Sequence, residues 1–473
     1  FLSLPTLVSH PVLKPLSILL LLTTSSTLVA ASPLTSARES LQGLGSWSGV
    51  HEVRLGKGRA IRPSTPLQLE MSSTGRAVAS LADDPDGSVV LQQWKGHIRG
   101  IVRSPKHGTF LIQRTPNGES RVIELDPTTL VGCDSTKSLA PAADGDGGDP
   151  DSPPPPPMDG DAPDGDSGGV VDVFVAYTTL ARINAGSVDA METAIRGWVN
   201  ESNDVYRDSE SSVRIRLVGT DEISYNESGS FSNHLSRLAS TSDGVMDDVH
   251  TWRSNTGADI VALIVTDSSS CGIGYTIKND VTGSPNSAFA VVRDYCADVQ
   301  YSFTHELGHV MGCCHDADHP GSCAGGASLY PHSFGQRFTG DSDDWRTVMA
   351  YTDGDSDPMP TTYYTRIGYL SNPGVSYDNE PTGSAMADNA ATHDSMRFVT
   401  AAYRTAITPI TCPGDLGEDA IVSVDDLLAL LERWGPIDLA DTQSLAADLN
   451  GDAQIDTSDL LVLIMEFGPC PSG

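Results

Sequence analysis

The chain has 473 residues, 39% of them apolar, which is enough for two or three packed units and makes a single fold a poor expectation. Its 62 acidic side chains against 29 basic ones leave a formal charge of −33, so a nucleic-acid backbone would be repelled rather than neutralised and that class of partner is excluded. Eight cysteines point to an oxidising compartment, although their number alone leaves both pairing and metal ligation open.

Residues 16–22 form a short apolar core after Lys14, followed by Thr/Ser and by small residues that fit cleavage after about Ala31. Residues 1–31 therefore read as a secretory signal, and the protein is expected to be secreted. Thr23 to Thr27 interrupts the run well before the roughly 20 apolar residues a membrane span needs, and no later stretch is long enough. Residues 32–138 alternate with period two at 89–94, 97–102, 109–113 and 121–125, with glycine-bearing turns between, and predict a small antiparallel β module without a catalytic cluster. Residues 139–169 are mostly Asp, Gly and Pro, including five prolines at 153–157; such a segment cannot bury a core and reads as an extended linker.

Residues 170–407 alternate strand and helix signals, as an α/β unit with a mostly parallel sheet and helices on its faces would. Strands are expected at 170–177, 213–218 and 259–265, a long packing helix at 188–206, and a terminal helix at 390–404. Within this unit lies His305-Glu-Leu-Gly-His-Val-Met-Gly-Cys-Cys-His-Asp316. His305 and His309 are one helical turn apart on one face, so two imidazoles can meet one ion with Glu306 beside it. Gly312 lets the backbone leave the helix, and His315 can return as a third ligand. Three protein ligands leave one position open for water, and Glu306 can take the proton as that water becomes a nucleophile.

These residues resemble the extended zinc signature of the metzincin metallopeptidases, and Asp316 after the third histidine makes the reprolysin-like branch the nearest. Asp172-Val-Phe-Val-Ala-Tyr-Thr178, Cys271-Gly-Ile-Gly-Tyr275, Thr347-Val-Met-Ala-Tyr351 and Tyr369-Leu-Ser-Asn-Pro-Gly-Val-Ser-Tyr377 extend the likeness to secreted bacterial peptidyl-Asp metalloendopeptidases. The resemblance implies one catalytic zinc on His305, His309 and His315, Glu306 as base, peptide substrates and a preference next to acidic residues. It also implies an antiparallel edge strand that holds the substrate backbone, for which 288–293 is the candidate. Met349 matches the Met-turn that supports the ligands from beneath. Tyr351 stands either as a zinc or oxyanion contact or as an aromatic wall.

A signal, a β module, a linker and a protease-like unit make a zymogen layout, which singles out Cys133. Two readings stand: a cysteine switch whose thiolate takes the fourth zinc position, or a structural disulfide. Cys412 and Cys470 bracket the C-terminal unit and are expected to pair, leaving five cysteines in the central unit, which cannot all pair among themselves.

Residues 412–473 hold two similar units. In the second, Asp448, Asn450, Asp452, Gln454, Asp456 and Asp459 occupy positions 1, 3, 5, 7, 9 and 12 of an EF-hand-like loop, with Gln454 offering its carbonyl. In the first, Asp415, Asp419, Ile421 and Asp426 keep the pattern, but Gly417 stands where a ligand is expected, so this calcium site is the weaker. The pair resembles a dockerin type I module, a small α-helical domain that docks onto a cohesin; a self-contained calcium-stabilised cap is the alternative. The competing class for the whole chain is a catalytically silent protease-like adhesion protein held by this tail. Retention of Glu306, which a scaffold has no use for, favours the enzyme.

Overall fold

The computed structural model describes residues 47–50, 53–56, 59–64, 67–69, 74–115, 117, 120–125, 133, 170–278, 281–351, 364–406, 414, 416, 421–437, 442–449, 453–465 and 467–469. The expected signal at 1–31, the linker at 139–169, and Cys412 and Cys470 lie outside them. Among the described residues no helix is long and apolar enough to cross a membrane.

The period-two stretches of the N-terminal unit form a five-stranded antiparallel meander: β1 (Thr74–Leu81), β2 (Asp84–Trp94), β3 (His97–Ser104), β4 (Gly108–Arg114) and β5 (Ser120–Leu125). Alternation sends Val89, Leu91, Ile98, Val102, Phe110 and Ile112 to one face, where they close a small core with Ile61. Ile101, Leu111 and Leu125 point the other way and meet Val299 of the central unit.

That unit begins with β6 (Val170–Thr178), α1 (Thr179–Ala185), α2 (Val188–Asp208), β7 (Arg214–Ile223), α3 (Phe231–Ala239), α4 (Asp248–Thr256) and β8 (Ile260–Val265). It continues with β9 (Gly272–Gly274), β10 (Phe289–Arg293), α5 (Asp294–Gln300), α6 (Ser302–Val310), β11 (Cys314–Asp316) and α7 (Asn389–Ala401). The sheet order is β7-β6-β8-β10-β9, parallel throughout except for β9 against β10. Both faces are covered, which is why β6 and β8 read as continuous apolar runs. Val171, Val173, Val175, Ile260, Ala262 and Ile264 pack with α2, α6 and α7, whereas Phe174, Ala176, Val261 and Leu263 pack with α3 and α4.

The edge strand differs from the expectation. Residues 289–293 lie inside the sheet between β8 and β9, with 289–292 buried, and the antiparallel edge is Gly272–Gly274. A strand covered on both faces needs the apolar run that 289–292 supplies; the edge carries glycine because the metal helix approaches it closely.

Cys271 pairs with Cys296, tying the start of the edge strand to α5, and Cys314 pairs with Cys323. Cys313 is a buried free thiol.

The C-terminal unit packs Val422, Leu430, Ala447, Ile455 and Leu463 into a separate small core. α8 (Val424–Glu432), α9 (Thr442–Ala447) and α10 (Thr457–Met465) surround it.

His393 on α7 is fully buried, edge-on to Tyr206, and among the described residues neither ring nitrogen has a hydrogen-bond partner. Burial pushes its pKa down from 6.5 to about 3. Below pH 6.5 the unfolded imidazole takes up a proton that the folded one refuses, so the native state loses about 1.4 kcal/mol per pH unit until the folded pKa is reached. His393→Leu should remove this loss. Denaturant unfolding at pH 7 and pH 5 should show the variant gaining about 2 kcal/mol on the wild type over that interval; parallel pH dependences would contradict it.

Candidate metal centre

α6 starts from Tyr301, which has left-handed φ of 53° and whose carbonyl accepts from the His305 amide. The helix is buried on all sides, and Phe303, Leu307 and Val310 anchor it beneath the sheet. It ends at Val310, and Gly312, with φ of 88°, then reverses the chain so that β11 carries His315 back towards the helix.

The three imidazoles converge. His315 Nε2 lies 3.2 Å from His305 Nε2 and 2.9 Å from His309 Nε2. His305 donates from Nδ1 to the Val348 carbonyl at 2.8 Å and His309 from Nδ1 to the Cys313 carbonyl at 2.9 Å, so the Nε2 lone pairs of both rings face the shared point. Burial holds His305 and His315 well below the usual histidine range and His309 at about 4. All three are neutral at pH 7, the form that binds a metal. Neutral acceptors this close repel one another unless a proton or cation lies between them, so the donor set fits a metal ion.

Cys133, the last described residue of the N-terminal unit, brings its sulfur to this point. Together with the three histidines it forms a cluster whose ligand atoms all lie within 4.8 Å of one another. The thiol is 3.8 Å from His309 Nε2 and 3.5 Å from Glu306 Oε2. Tyr351 donates its hydroxyl to the Cys133 carbonyl at 2.7 Å and stacks on His315 with ring centroids 4.1 Å apart. Met349 is fully buried under α6, and a Cβ at Gly308 would fall 2.6 Å from its sulfur.

Two features were not singled out from the sequence for what they do here. Asp316 joins the third histidine to the turn after Met349: Oδ2 accepts from the Tyr351 amide at 2.9 Å, and Oδ1 accepts from His319 Nδ1 at 2.9 Å. Gly272 and Gly274 make room for Glu306, since a Cβ at Gly272 would lie 2.3 Å from Glu306 Oε1 and one at Gly274 would lie 2.8 Å from the Glu306 carbonyl. A glycine alternating on a strand beside an acid-bearing helix was the available signal.

In the C-terminal unit Asp459 is buried and accepts from the amides of Leu449 and Asp456, both at 2.8 Å, while Asp448 accepts from Ala453 at 2.9 Å. Asp456 accepts from Ser458 at 2.7 Å and Gln454 lies on a short strand. In the first loop Asp426 is buried and accepts from Ser423 at 2.7 Å, and Ile421 begins a two-residue strand. Asp415, Asp419, Asn450 and Asp452 lie outside the described residues.

A helix with two histidines and a carboxylate, a third histidine on the return and a sheet edge alongside define a metallopeptidase. Comparison with known families is consistent: residues 168–402 match the Metallo-peptidase family M12B Reprolysin-like, and residues 413–468 match the Dockerin type I domain. The peptidyl-Asp metalloendopeptidase of Stenotrophomonas maltophilia R551-3 is 32% identical over 346 residues, covering 69% of this chain and 73% of that protein. Its counterpart in strain K279a is 31% identical over 342 residues, with the same coverage. That of Xanthomonas campestris pv. campestris is 34% identical over 210 residues, covering 44% of this chain and 45% of the relative. The chain belongs to the reprolysin-like metallopeptidase family and is a metalloendopeptidase with a C-terminal dockerin type I domain.

Gly272→Ala should displace the Glu306 carboxylate while leaving the histidines in place. Peptide hydrolysis is expected to fall about 100-fold, as for a catalytic group misplaced by an ångström, with metal content unchanged. Measured kcat/KM near the wild-type value would show that the contact is relaxed without cost.

Proposed function

We propose that this chain is a secreted zinc endopeptidase made as a zymogen, with residues 1–31 as signal, 32–138 as pro-segment, 139–169 as linker, 170–407 as catalytic unit and 412–473 as a calcium-binding docking module. The observation that carries the reading is the convergence of three neutral Nε2 atoms, at 2.9 and 3.2 Å, on one point beside a buried glutamate. Those separations are close to the edge of a tetrahedron with zinc–nitrogen bonds of 2.0–2.1 Å, about 3.3 Å.

Zinc, when bound, supplies a Lewis acid that polarises the scissile carbonyl and acidifies water. Glu306 takes the proton of the attacking water and returns one to the leaving amine nitrogen. The backbone of Gly272–Gly274, which is the sheet edge among the described residues, is offered to the substrate strand. Met349 supports the ligands from below. Tyr351, two residues on, directs a hydroxyl towards the site and is placed to donate to the developing oxyanion once Cys133 has left. Cys133 acts as the switch, with its thiol against both a ligand and the base. The relatives' name supports a preference next to acidic residues. Calcium on the Asp448–Asp459 loop, and more weakly on the Asp415–Asp426 loop, orders the module for a cohesin-like partner.

The test is digestion of a mixed peptide library, with cut sites read by mass spectrometry, using the wild-type chain, Cys133→Ala, and Cys133→Ala with Glu306→Ala. Cys133→Ala should cut without prior processing, and its cut sites should be enriched in flanking Asp. Loss of Glu306 should lower the rate by about 10²–10⁴ while zinc remains bound. Undiminished cutting without Glu306 would sink the mechanism, and no gain from Cys133→Ala would sink the switch.

A further inference from the structure

The N-terminal sheet grips the catalytic unit at a place apart from the metal. Its basic side chains lie on an acidic face made by α2 and α5. Arg99 forms a two-point pair with Asp298, whose carboxylate also accepts from Trp198 Nε1 at 2.9 Å. Arg103 pairs with Glu201, donates to the Asp298 carbonyl at 2.6 Å and lies 4.0 Å over the Tyr301 ring. Arg76 pairs with Asp204, and Trp94 Nε1 donates to Glu192 at 2.7 Å. Ile101, Leu111 and Leu125 cover Val299 beside these pairs.

Chain order gives this interface a consequence. Cys133 precedes the 139–169 linker, so any cut in that linker leaves Cys133 attached to the sheet through residues 126–132. The sheet keeps its own hold on α2 and α5. Separating the Arg99–Asp298 and Arg103–Glu201 pairs strips buried charges of their partners, which opposes dissociation. While the sheet stays docked, the short tether keeps the thiol at high effective concentration near the metal.

We infer that cutting the linker does not activate the enzyme: the excised N-terminal sheet remains docked through Arg99 and Arg103 as a non-covalent inhibitor, and activity appears only when it dissociates. The inference rests on the zymogen reading above and names the regulation of that site.

The experiment places a recognition sequence for a site-specific protease within 139–169 of the full chain. Size-exclusion chromatography and peptide hydrolysis are followed before and after cutting, at micromolar protein, with the uncut Cys133→Ala chain as the activity reference. The two fragments are expected to co-elute, with hydrolysis at least about tenfold below the reference, as for a site still held by a tethered group. With Arg99→Ala and Arg103→Ala together, cutting should separate the fragments and raise hydrolysis towards the reference. Glu201→Gln weakens the same contact from the catalytic side and serves where the arginine variants fail to fold. Wild-type fragments that separate on cutting would overturn the inference. So would co-elution with full activity. If the Cys133→Ala reference itself cuts nothing, the peptidase mechanism fails, whereas co-elution still decides whether the sheet is retained.

Discussion

The centre depends on bringing three imidazoles to one point, with His315 Nε2 3.2 Å from that of His305 and 2.9 Å from that of His309. Without a cation this arrangement is repulsive, and burial removes the escape of protonation by holding all three rings in the neutral form. The scaffold must therefore impose the geometry from behind. It does so with backbone carbonyls, Val348 for His305 and Cys313 for His309, each of which fixes a tautomer as well as a ring orientation. Val348 belongs to the segment that also carries Met349 and Tyr351, so one short turn orients a ligand, fills the space under the helix and supplies the hydroxyl facing the site.

The same constraint explains the close approach of the edge strand. Glu306 shares a helix with two of the ligands, so wherever they are held, its carboxylate is carried against β9. The sheet accommodates it with Gly272 and Gly274, where any larger residue would meet Glu306 within 3 Å. The Cys271–Cys296 disulfide then fixes the start of this short strand to α5, which Tyr301 alone separates from the metal helix.

Much of this was legible in the sequence because it is local. The ligand spacing follows from helical periodicity, the parallel strands from apolar runs covered on both faces, and the meander from alternation. The edge strand was not, because three residues with two glycines give no periodic signal and the stronger apolar run at 289–293 took its place. Cysteine pairing was equally out of reach: five central cysteines permit several pairings, and only the packing shows Cys313 sealed beneath α6 and Cys133 at the cluster. Arg99 and Arg103 carried no sequence signal of their partners, since nothing local reveals that α2 and α5 will cover that face.

Charge gives that last point its meaning. In a chain with more than twice as many acids as bases, an arginine-bearing sheet is a scarce complement to an acidic surface. Here it is set against the helix pair that feeds the metal site. Arg103 touches Glu201 on α2, the Asp298 carbonyl on α5 and the ring of Tyr301, the residue whose left-handed turn starts α6. The sheet thus bears on the entrance of the helix that carries His305 and His309, while Cys133 bears on the ligands themselves. Two contacts on one rigid helix, joined by a short stretch of chain, reinforce each other: loss of either leaves the other to hold the segment near its site. A lone thiol at a metal is readily displaced; a thiol tethered to a docked sheet is displaced only when the sheet leaves as well.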